Sequence, residues 1–494
     1  MRFNRDDAFR RISRSFHAVK DSEYAPPVSL QKTLRKYQRD GYRWLRTLDG
    51  YGMGGILADD MGLGKTVQVL SYLLAMKQNG QTLPSLIVCP ASLVLNWAEE
   101  CQKFTPELSC VVVDGDAAHR AELAESWPAA DLVVTSYDLL RRDEALYEGQ
   151  EFYACILDEA QAIKNHTTQK YKAVCKVRSR VRFALTGTPV ENRLGELWSV
   201  FSFLMPGYLP PYKSFCSRFE KPIVQEEDQT AVRRLNQLTG PFILRRMKSD
   251  VLKELPPKTE NVYRIELEEE QRKLYLAAVV DAREKLQAAK PEDKMAVFAV
   301  LMRLREICCD PRLIADNWEG GSAKLDACAE LVSSAVEGGH RILLFSQFTS
   351  MLELLAKRLD AEGISHFTLQ GSTPKPVRAE LVRRFNGGEV SVFLISLRAG
   401  GTGLNLTAAD IVIHYDPWWN VAAQNQATDR AYRIGQQNPV QVYKLIAQDT
   451  IEEKIVELQQ AKQSLADTVT GTADGAILSM RPDELLQLLE GSEP

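Results

Sequence analysis

At 494 residues the chain is too long for one hydrophobic core, so it is expected to fold as several domains. Hydrophobic residues make up 45% and charged residues 26%, an ordinary balance for a water-soluble globular protein, and no run of eighteen apolar residues offers a membrane span. The formal net charge of −4 shows no overall basic excess, so contact with nucleic acid would have to come from local basic stripes.

The first twenty residues are charged throughout and lack the apolar centre of a secretory signal. Basic residues gather at Arg10, Arg11 and Arg14, at Arg35, Lys36, Arg39, Arg43 and Arg46, and at Arg245, Arg246 and Lys248. Taken singly, each group reads more readily as a solvated helix face than as a nucleic-acid contact. The stretch ILADDMGLGKT, Ile56 to Thr66, joins a short apolar run to a glycine-rich turn. Gly62 and Gly64 permit the tight backbone of a phosphate loop, Lys65 can reach the β and γ phosphates, and Thr66 offers a hydroxyl to Mg²⁺. A helix beginning near Lys65 would add its positive N-terminal dipole. The pattern G-x-x-x-x-G-K-[ST] has glycine where this chain has Asp59, so by itself the stretch is equally an ordinary strand-to-helix turn.

Apolar runs at 86–89, 132–135, 154–157 and 182–185 alternate with helical stretches, the pattern of a parallel sheet covered on both faces. The third run leads into DEAQAIKN and sets Asp158 and Glu159 where open parallel sheets present functional groups, at the carboxyl end of a strand. Asp158 can hold Mg²⁺ and Glu159 can orient and deprotonate an attacking water; a solvated acidic turn is the alternative. The fourth run leads into TGTP, which is either a plain turn or a sensor of the γ-phosphate through Thr186, Gly187 and Thr188. Residues 195–315 differ in character, with Pro206, Pro210 and Pro211, then ELPPKTE, then a long helical pattern over 268–290. They read as helical insertions and a linker. Apolar runs at 341–347, 365–370, 390–396 and 411–416 imply a second α/β lobe. Arg430 and Arg433 are three apart on an expected helix and would share a face; a bare R-x-x-R pair is otherwise a site of surface salt bridges. Beyond 447 the pattern is helical again. The nine cysteines contain no C-x-x-C pair and suit reduced thiols used as small apolar side chains, which points to the cytoplasm.

Together these residues resemble the Swi/Snf-type ATPases of helicase superfamily two, the motors of chromatin remodellers and their bacterial relatives. LRKYQRDGYRWL (34–45) looks like the family's adenine-recognition segment, with Gln38 as the amide. LADDMGLGKT matches its phosphate loop, Asp59 included, and DEAQAIKN, LTGTPVENRLGELWSVFSFLMPGYL and FILRRMKSDV resemble its later first-lobe motifs. RILLFSQFTSMLELL (341–355), LISLRAGGTGLNLTAADIVIHYDPWWN (394–420) and ATDRAYRIGQ (427–436) resemble those of its second lobe. The likeness covers roughly residues 30 to 460 with seven motifs in order, and their compact spacing suggests a bacterial member.

The resemblance implies an α/β fold of two RecA-like parallel-sheet lobes with helical insertions between them. Residues 1–30 would be an N-terminal segment, either the tail of a missing domain or the start of a minimal motor. The ATP-binding lobe would occupy 31–194 with its last strand near 241–265, and 195–240 would be its helical protrusion. The second lobe would occupy 321–455, with 266–320 as its protrusion and 456–494 as C-terminal helices. ATP would be bound by Gln38, Asp60, Met61, Gly62, Gly64, Lys65, Thr66 and Gly403, with Mg²⁺ on Thr66 and Asp158. Lys65, Asp158, Glu159, Arg430 and Arg433 would be catalytic, the two arginines reaching the γ-phosphate as fingers worth roughly 10³ to 10⁵ in rate. Thr186, Gly187 and Thr188 would couple hydrolysis to movement. Duplex DNA would be gripped without sequence preference by Ser92, Asn96, Trp97, Thr135, Ser136, Lys164 and Asn165, and by Gln347, Gly371, Ser372, Thr373, Ser396, Arg398 and Trp418. The expected activity is a DNA-dependent ATPase, a monomer tracking along duplex DNA and disrupting protein–DNA complexes without separating strands. The alternatives are a relative that frees stalled RNA polymerase, and an RNA or DNA helicase of the same superfamily. No membrane partner is expected.

Overall fold

The computed structural model describes residues 24–187, 194–226, 228–252, 255–288, 294–315, 317–397, 404–419, 421–459 and 486. The chain divides into two compact units, Met1–Lys253 and Glu254–Pro494.

The first unit is built on seven parallel strands: β1 (Gly55–Leu57), β2 (Ser85–Cys89), β3 (Cys110–Val112), β4 (Leu132–Ser136), β5 (Glu151–Asp158), β6 (Arg178–Leu185) and β7 (Ile243–Leu244). Their spatial order is β3-β4-β2-β5-β6-β1-β7. Strands β2 and β4 are buried along their whole length, which is why SLIVC and LVVTS read as continuous apolar runs rather than alternating ones. Helix α1 (Lys36–Gly50) opens with Gln38 reaching back to the amide of Arg35 at 2.9 Å, and it buries Tyr37, Gly41, Trp44, Leu45 and Leu48, a stripe at helical spacing. Helix α2 (Lys65–Gln78) follows β1, and α3 (Val94–Phe104) follows β2.

The second unit has six parallel strands: β8 (Lys258–Ile265), β9 (Ile342–Ser346), β10 (His366–Leu369), β11 (Val392–Ser396), β12 (Ile411–His414) and β13 (Val440–Ala447), in the order β10-β11-β9-β12-β13-β8. Successive residues of β9 alternate between two cores: Ile342 and Leu344 pack on one face, Leu343 and Phe345 on the other. A third core holds α4 (Glu269–Ala288) against α5 (Lys294–Cys309). Helix α6 (Ala323–Glu337) buries Leu325, Cys328 and Val332 beneath the sheet, and α7 (Val421–Thr428) precedes β13. Cys308 and Cys309 are buried free thiols. Among the described residues no helix is long and apolar enough to cross a membrane.

The expected α/β architecture is present in both units. One expectation is corrected. The last strand of the first lobe, read near 241–265, is two strands in two sheets. β7 pairs with β1 through only Ile56–Ile243 and Leu57–Leu244, whereas all eight residues of β8 pair with β13, from Lys258–Val440 to Ile265–Ala447. The unit boundary falls between them.

Candidate nucleotide site

Three strands of the first sheet end level. Leu57 of β1 and Asp158 of β5 both lie opposite Leu185 of β6, so the glycine-rich loop, the acidic pair and Thr186 leave the sheet at one edge. Gly62 and Gly64 have φ of +83° and +75°, values glycine adopts without the cost a side chain would bring. Gly64 caps α2, whose first residue is Lys65. The Lys65 ammonium folds back and donates to the Asp59 carbonyl at 2.7 Å. Met61, Gly62, Gly64, Lys65 and Thr66 are half-buried. From the other side Tyr37 donates its hydroxyl to the Leu63 carbonyl at 2.9 Å, and Gln38 donates its amide to the same oxygen at 3.1 Å. Gln38 is 5% exposed and its amide is engaged at both ends, so bidentate contact with adenine requires it to exchange these partners.

Asp59 explains the departure from the usual loop pattern. Its side chain is fully buried and is clasped by Arg246, whose Nε donates to Oδ1 at 2.8 Å and whose Nη2 donates to Oδ2; Gln68 adds a bond to Oδ2 at 3.1 Å. Asp60 accepts the Lys248 amide at 2.9 Å.

Asp158 and Glu159 sit at the end of β5. The Asp158 carboxyl accepts the Trp97 indole N–H on Oδ2 and the Glu159 amide on Oδ1, each at 2.9 Å. Burial, and next the neighbouring Glu159 charge, push its pKa up to about 7. A carboxylate so disfavoured as an isolated anion is well suited to receiving a cation. Glu159 itself has φ of +50°, a conformation that non-glycine residues rarely adopt and that here turns the chain sharply after the strand. Its Oε2 accepts from the Gln161 amide at 2.7 Å, and Gln161 Oε1 accepts from the Thr186 hydroxyl at 3.1 Å. A single amide therefore connects the acid on β5 to the threonine after β6. Gln161 was missed as a site residue although it is the fourth letter of DEAQ. Among the described residues no group of three or more His, Cys, Asp or Glu side chains could hold a metal by itself, so a cation here would rest on Asp158, Thr66 and the phosphates of a nucleotide.

The remaining candidates separate into accessible and inaccessible groups. Asn165, Gly371 and Ser372 are exposed; Ser92, Asn96, Lys164, Gly187, Gln347, Thr373 and Trp418 are partly buried. Asn96 bonds Glu100 at 3.4 Å and Lys164 lies 3.9 Å from Glu196. Three expected DNA contacts of the first unit are buried and partnered within it. Trp97 is 1% exposed and serves Asp158; Thr135 is fully buried and accepts from Tyr147 at 3.0 Å; Ser136 is buried and caps the next helix through the Leu139 amide. In the second unit Ser396 is likewise buried, within β11. Trp418 packs beside Trp419 on the α4–α5 core. The expected helix for the arginine pair is also corrected. α7 stops at Thr428, and Arg430 and Arg433 lie in the turns that follow. The segment spends its hydrogen bonds elsewhere: the Leu406 amide donates to the Arg430 carbonyl at 3.0 Å, and Gln436 donates to the Ala409 and Ala431 carbonyls. Arg430 is 1% exposed, and Arg433 reaches the Leu404 carbonyl at 3.5 Å. Thr188, Arg398 and Gly403 lie outside the described residues.

The family model described as SNF2-related domain matches residues 37–313, and the helicase conserved C-terminal domain matches 323–435. An ATP-dependent helicase of Mycoplasma genitalium is 40% identical over 463 residues, covering 92% of this chain and 44% of that protein. YwqA of Bacillus subtilis, named as an ATP-dependent helicase or translocase, is 39% identical over 500 residues, covering 99% and 54%. The human TATA-binding protein-associated factor 172 is 36% identical over 542 residues, covering 94% and 29%. The chain thus spans about half the length of the bacterial relatives and less of the human one. A solved SWI2/SNF2 ATPase core of Sulfolobus solfataricus in complex with double-stranded DNA is 35% identical, covering 92% of this chain and 97% of that one at a TM-score of 0.46. The SNF2-related match takes in more than half of the residues, and on it the chain belongs to the SNF2-related family of helicase-like ATPases.

Proposed function

We propose that the chain hydrolyses ATP and uses the cycle to move along duplex DNA, displacing bound protein without separating the strands. The observation that carries the catalytic part is the common edge of β1, β5 and β6, where the Lys65 loop, Asp158, Glu159 and Thr186 leave the sheet together.

In this reading the amides of the glycine loop and Lys65 hold the phosphates, with Lys65 exchanging the Asp59 carbonyl for a phosphate oxygen. Asp158 and Thr66 would hold Mg²⁺, which neutralises charge on the β and γ phosphates when bound. Trp97 fixes the Asp158 carboxyl so that one oxygen keeps a constant direction. Glu159 orients a water and takes its proton, and Gln161 holds Glu159 in place. The Gln161–Thr186 bond passes the state of that acid to the segment after β6. Phosphoryl transfer also requires further positive charge, the role that the family resemblance gives to Arg430 and Arg433.

Exposed small polar groups such as Asn165 and Ser372 suit contact with the sugar–phosphate backbone, which carries no base information. The names of two relatives favour a motor that acts where proteins sit on DNA: one is named a helicase or translocase, the other an associate of the TATA-binding protein. The test is the ATPase rate of the whole chain with duplex DNA, single-stranded DNA and RNA. Stimulation by duplexes of unrelated sequence is expected. Equal stimulation by RNA, or by none of the three, contradicts the proposal.

A further inference from the structure

We infer that Arg246 is a positioning residue for the nucleotide site, acting through Asp59 and Lys65 without touching substrate. The inference rests on the nucleotide reading above and adds a residue that lies 187 positions from its partner.

Asp59 has no exposure, and a carboxylate in that state needs a cation with good geometry. Arg246 meets it with two guanidinium nitrogens, the bidentate form that fixes direction as well as charge. The same guanidinium donates to Gln68 Oε1 at 2.8 Å and to the Tyr37 carbonyl, and it lies 5.3 Å from the Tyr37 ring centre. One side chain thus joins α1, α2 and the loop between β1 and α2. Gly41 of α1 makes the approach possible: a methyl group there would lie 2.8 Å from Arg246 Nη2 and would collide with the Gln68 amide.

The backbone repeats the attachment. The Ala58 amide donates to the Leu244 carbonyl at 2.7 Å and the Asp60 amide to the Arg246 carbonyl at 3.0 Å, while Asp60 receives the Lys248 amide. Residues 58–60 are therefore laced to 244–248. Lys65 anchors on the carbonyl of the very residue whose carboxyl Arg246 holds. Where other phosphate loops have glycine, this chain has an aspartate because the loop is tied to a strap, and Arg246 is the tie. If the tie is cut, the loop that carries Asp59 and leads to Lys65 loses its fixed position, and phosphate binding weakens before chemistry does.

The test uses the full chain and reads equilibrium binding of a fluorescent ADP analogue, with KM and kcat for ATP alongside and thermal unfolding as a check on folding. Arg246→Gln is expected to raise the dissociation constant about tenfold or more and KM in parallel, with kcat changing by less than about threefold. Asp59→Asn is expected to do the same, because it leaves the guanidinium buried without its anion. The double variant Asp59→Asn with Arg246→Gln removes both charges and is expected to bind better than either single variant, a coupling that two independent structural defects would not show. Arg246→Lys keeps the charge but cannot make the fork, so intermediate binding is expected even if Arg246→Gln fails to fold. Parental binding by a folded Arg246→Gln or by Arg246→Lys, or strictly additive losses in the double variant, would overturn the inference. A parent chain that binds no nucleotide would instead contradict the proposed function, so the two failures are distinct.

Discussion

The two units share a parallel-sheet plan but differ in what holds several of their buried charges. In the first, side chains at and just after the ends of β5 and β6 are linked by neutral donors: Trp97 to Asp158, and Thr186 through Gln161 to Glu159. In the second, two buried ion pairs link separate stretches of the chain. Lys324 and Glu452 have no exposure and bond each other, with Glu452 also taking the Ala447 amide. Arg305 lies 3.3 Å from Asp416 and 4.1 Å over the Trp419 ring, and Asp416 also accepts from Ser346 and the Gln347 amide. Acids at the end of β5 are thus held by neutral donors, whereas these acids of the second unit are paired with cations. The difference teaches that an acid held only by neutral donors stays open to a cation, whereas one already paired with a cation does not.

That contrast can be broken or sharpened. The largest effect is expected from replacing Arg430 and Arg433 together by alanine. Turnover is expected to fall by about 10³ or more while nucleotide binding changes little. Unchanged turnover would remove the pair from catalysis. Next, Glu452→Ala leaves Lys324 buried without an anion and is expected to cost about 3–5 kcal/mol of stability, read as a lowered urea midpoint. A midpoint equal to the parent's would show that the pair is no brace.

A third effect is set by pH. Burial first, and then the Lys444 charge, pull His414 down to about 3, and its Nε2 lies 2.9 Å from the Thr428 hydroxyl; Lys258 acts in the same direction and Glu260 against it. The folded ring stays neutral where the unfolded ring, near 6.5, gains a proton. Protons thus bind the unfolded state preferentially between about 6.5 and 3, so stability falls as pH falls through that window, by about 2 kcal/mol from pH 7 to pH 5. His414→Gln should flatten the decline in urea midpoints, and an equally steep decline would remove His414 as its cause. The smallest effect is expected from Gln161→Ala, about tenfold in kcat with KM little changed, since it frees Glu159 without removing it. A change confined to KM would break the proposed relay.

The legible parts of the molecule were those that sequence spacing or full burial marks. Strands β2, β4 and β11 stand out because every residue is buried. The edge strand β8 was absorbed into the wrong lobe because seven of its eight residues are exposed, so it has no apolar signature, and β7 is only two residues long. The acidic pair was legible because a local motif places it at a strand end. Arg246 was not, because its partner lies in a distant stretch and only the fold joins them. The bond of Trp97 was hidden for a similar reason: an indole suits stacking on DNA or a buried N–H donor, and only the fold brings it to Asp158. The R-x-x-R spacing suggested a helix, but contacts from 406 and 436 hold that segment in turns.

The central claim is that Glu159, held by Gln161 at the end of β5, takes the proton from water in ATP hydrolysis. It is tested most directly by single-turnover hydrolysis with saturating duplex DNA in the parent and in Glu159→Gln. The account predicts nucleotide binding within about twofold of the parent and a rate lower by about 10² to 10⁴. Hydrolysis by the variant at the parent's rate would contradict it.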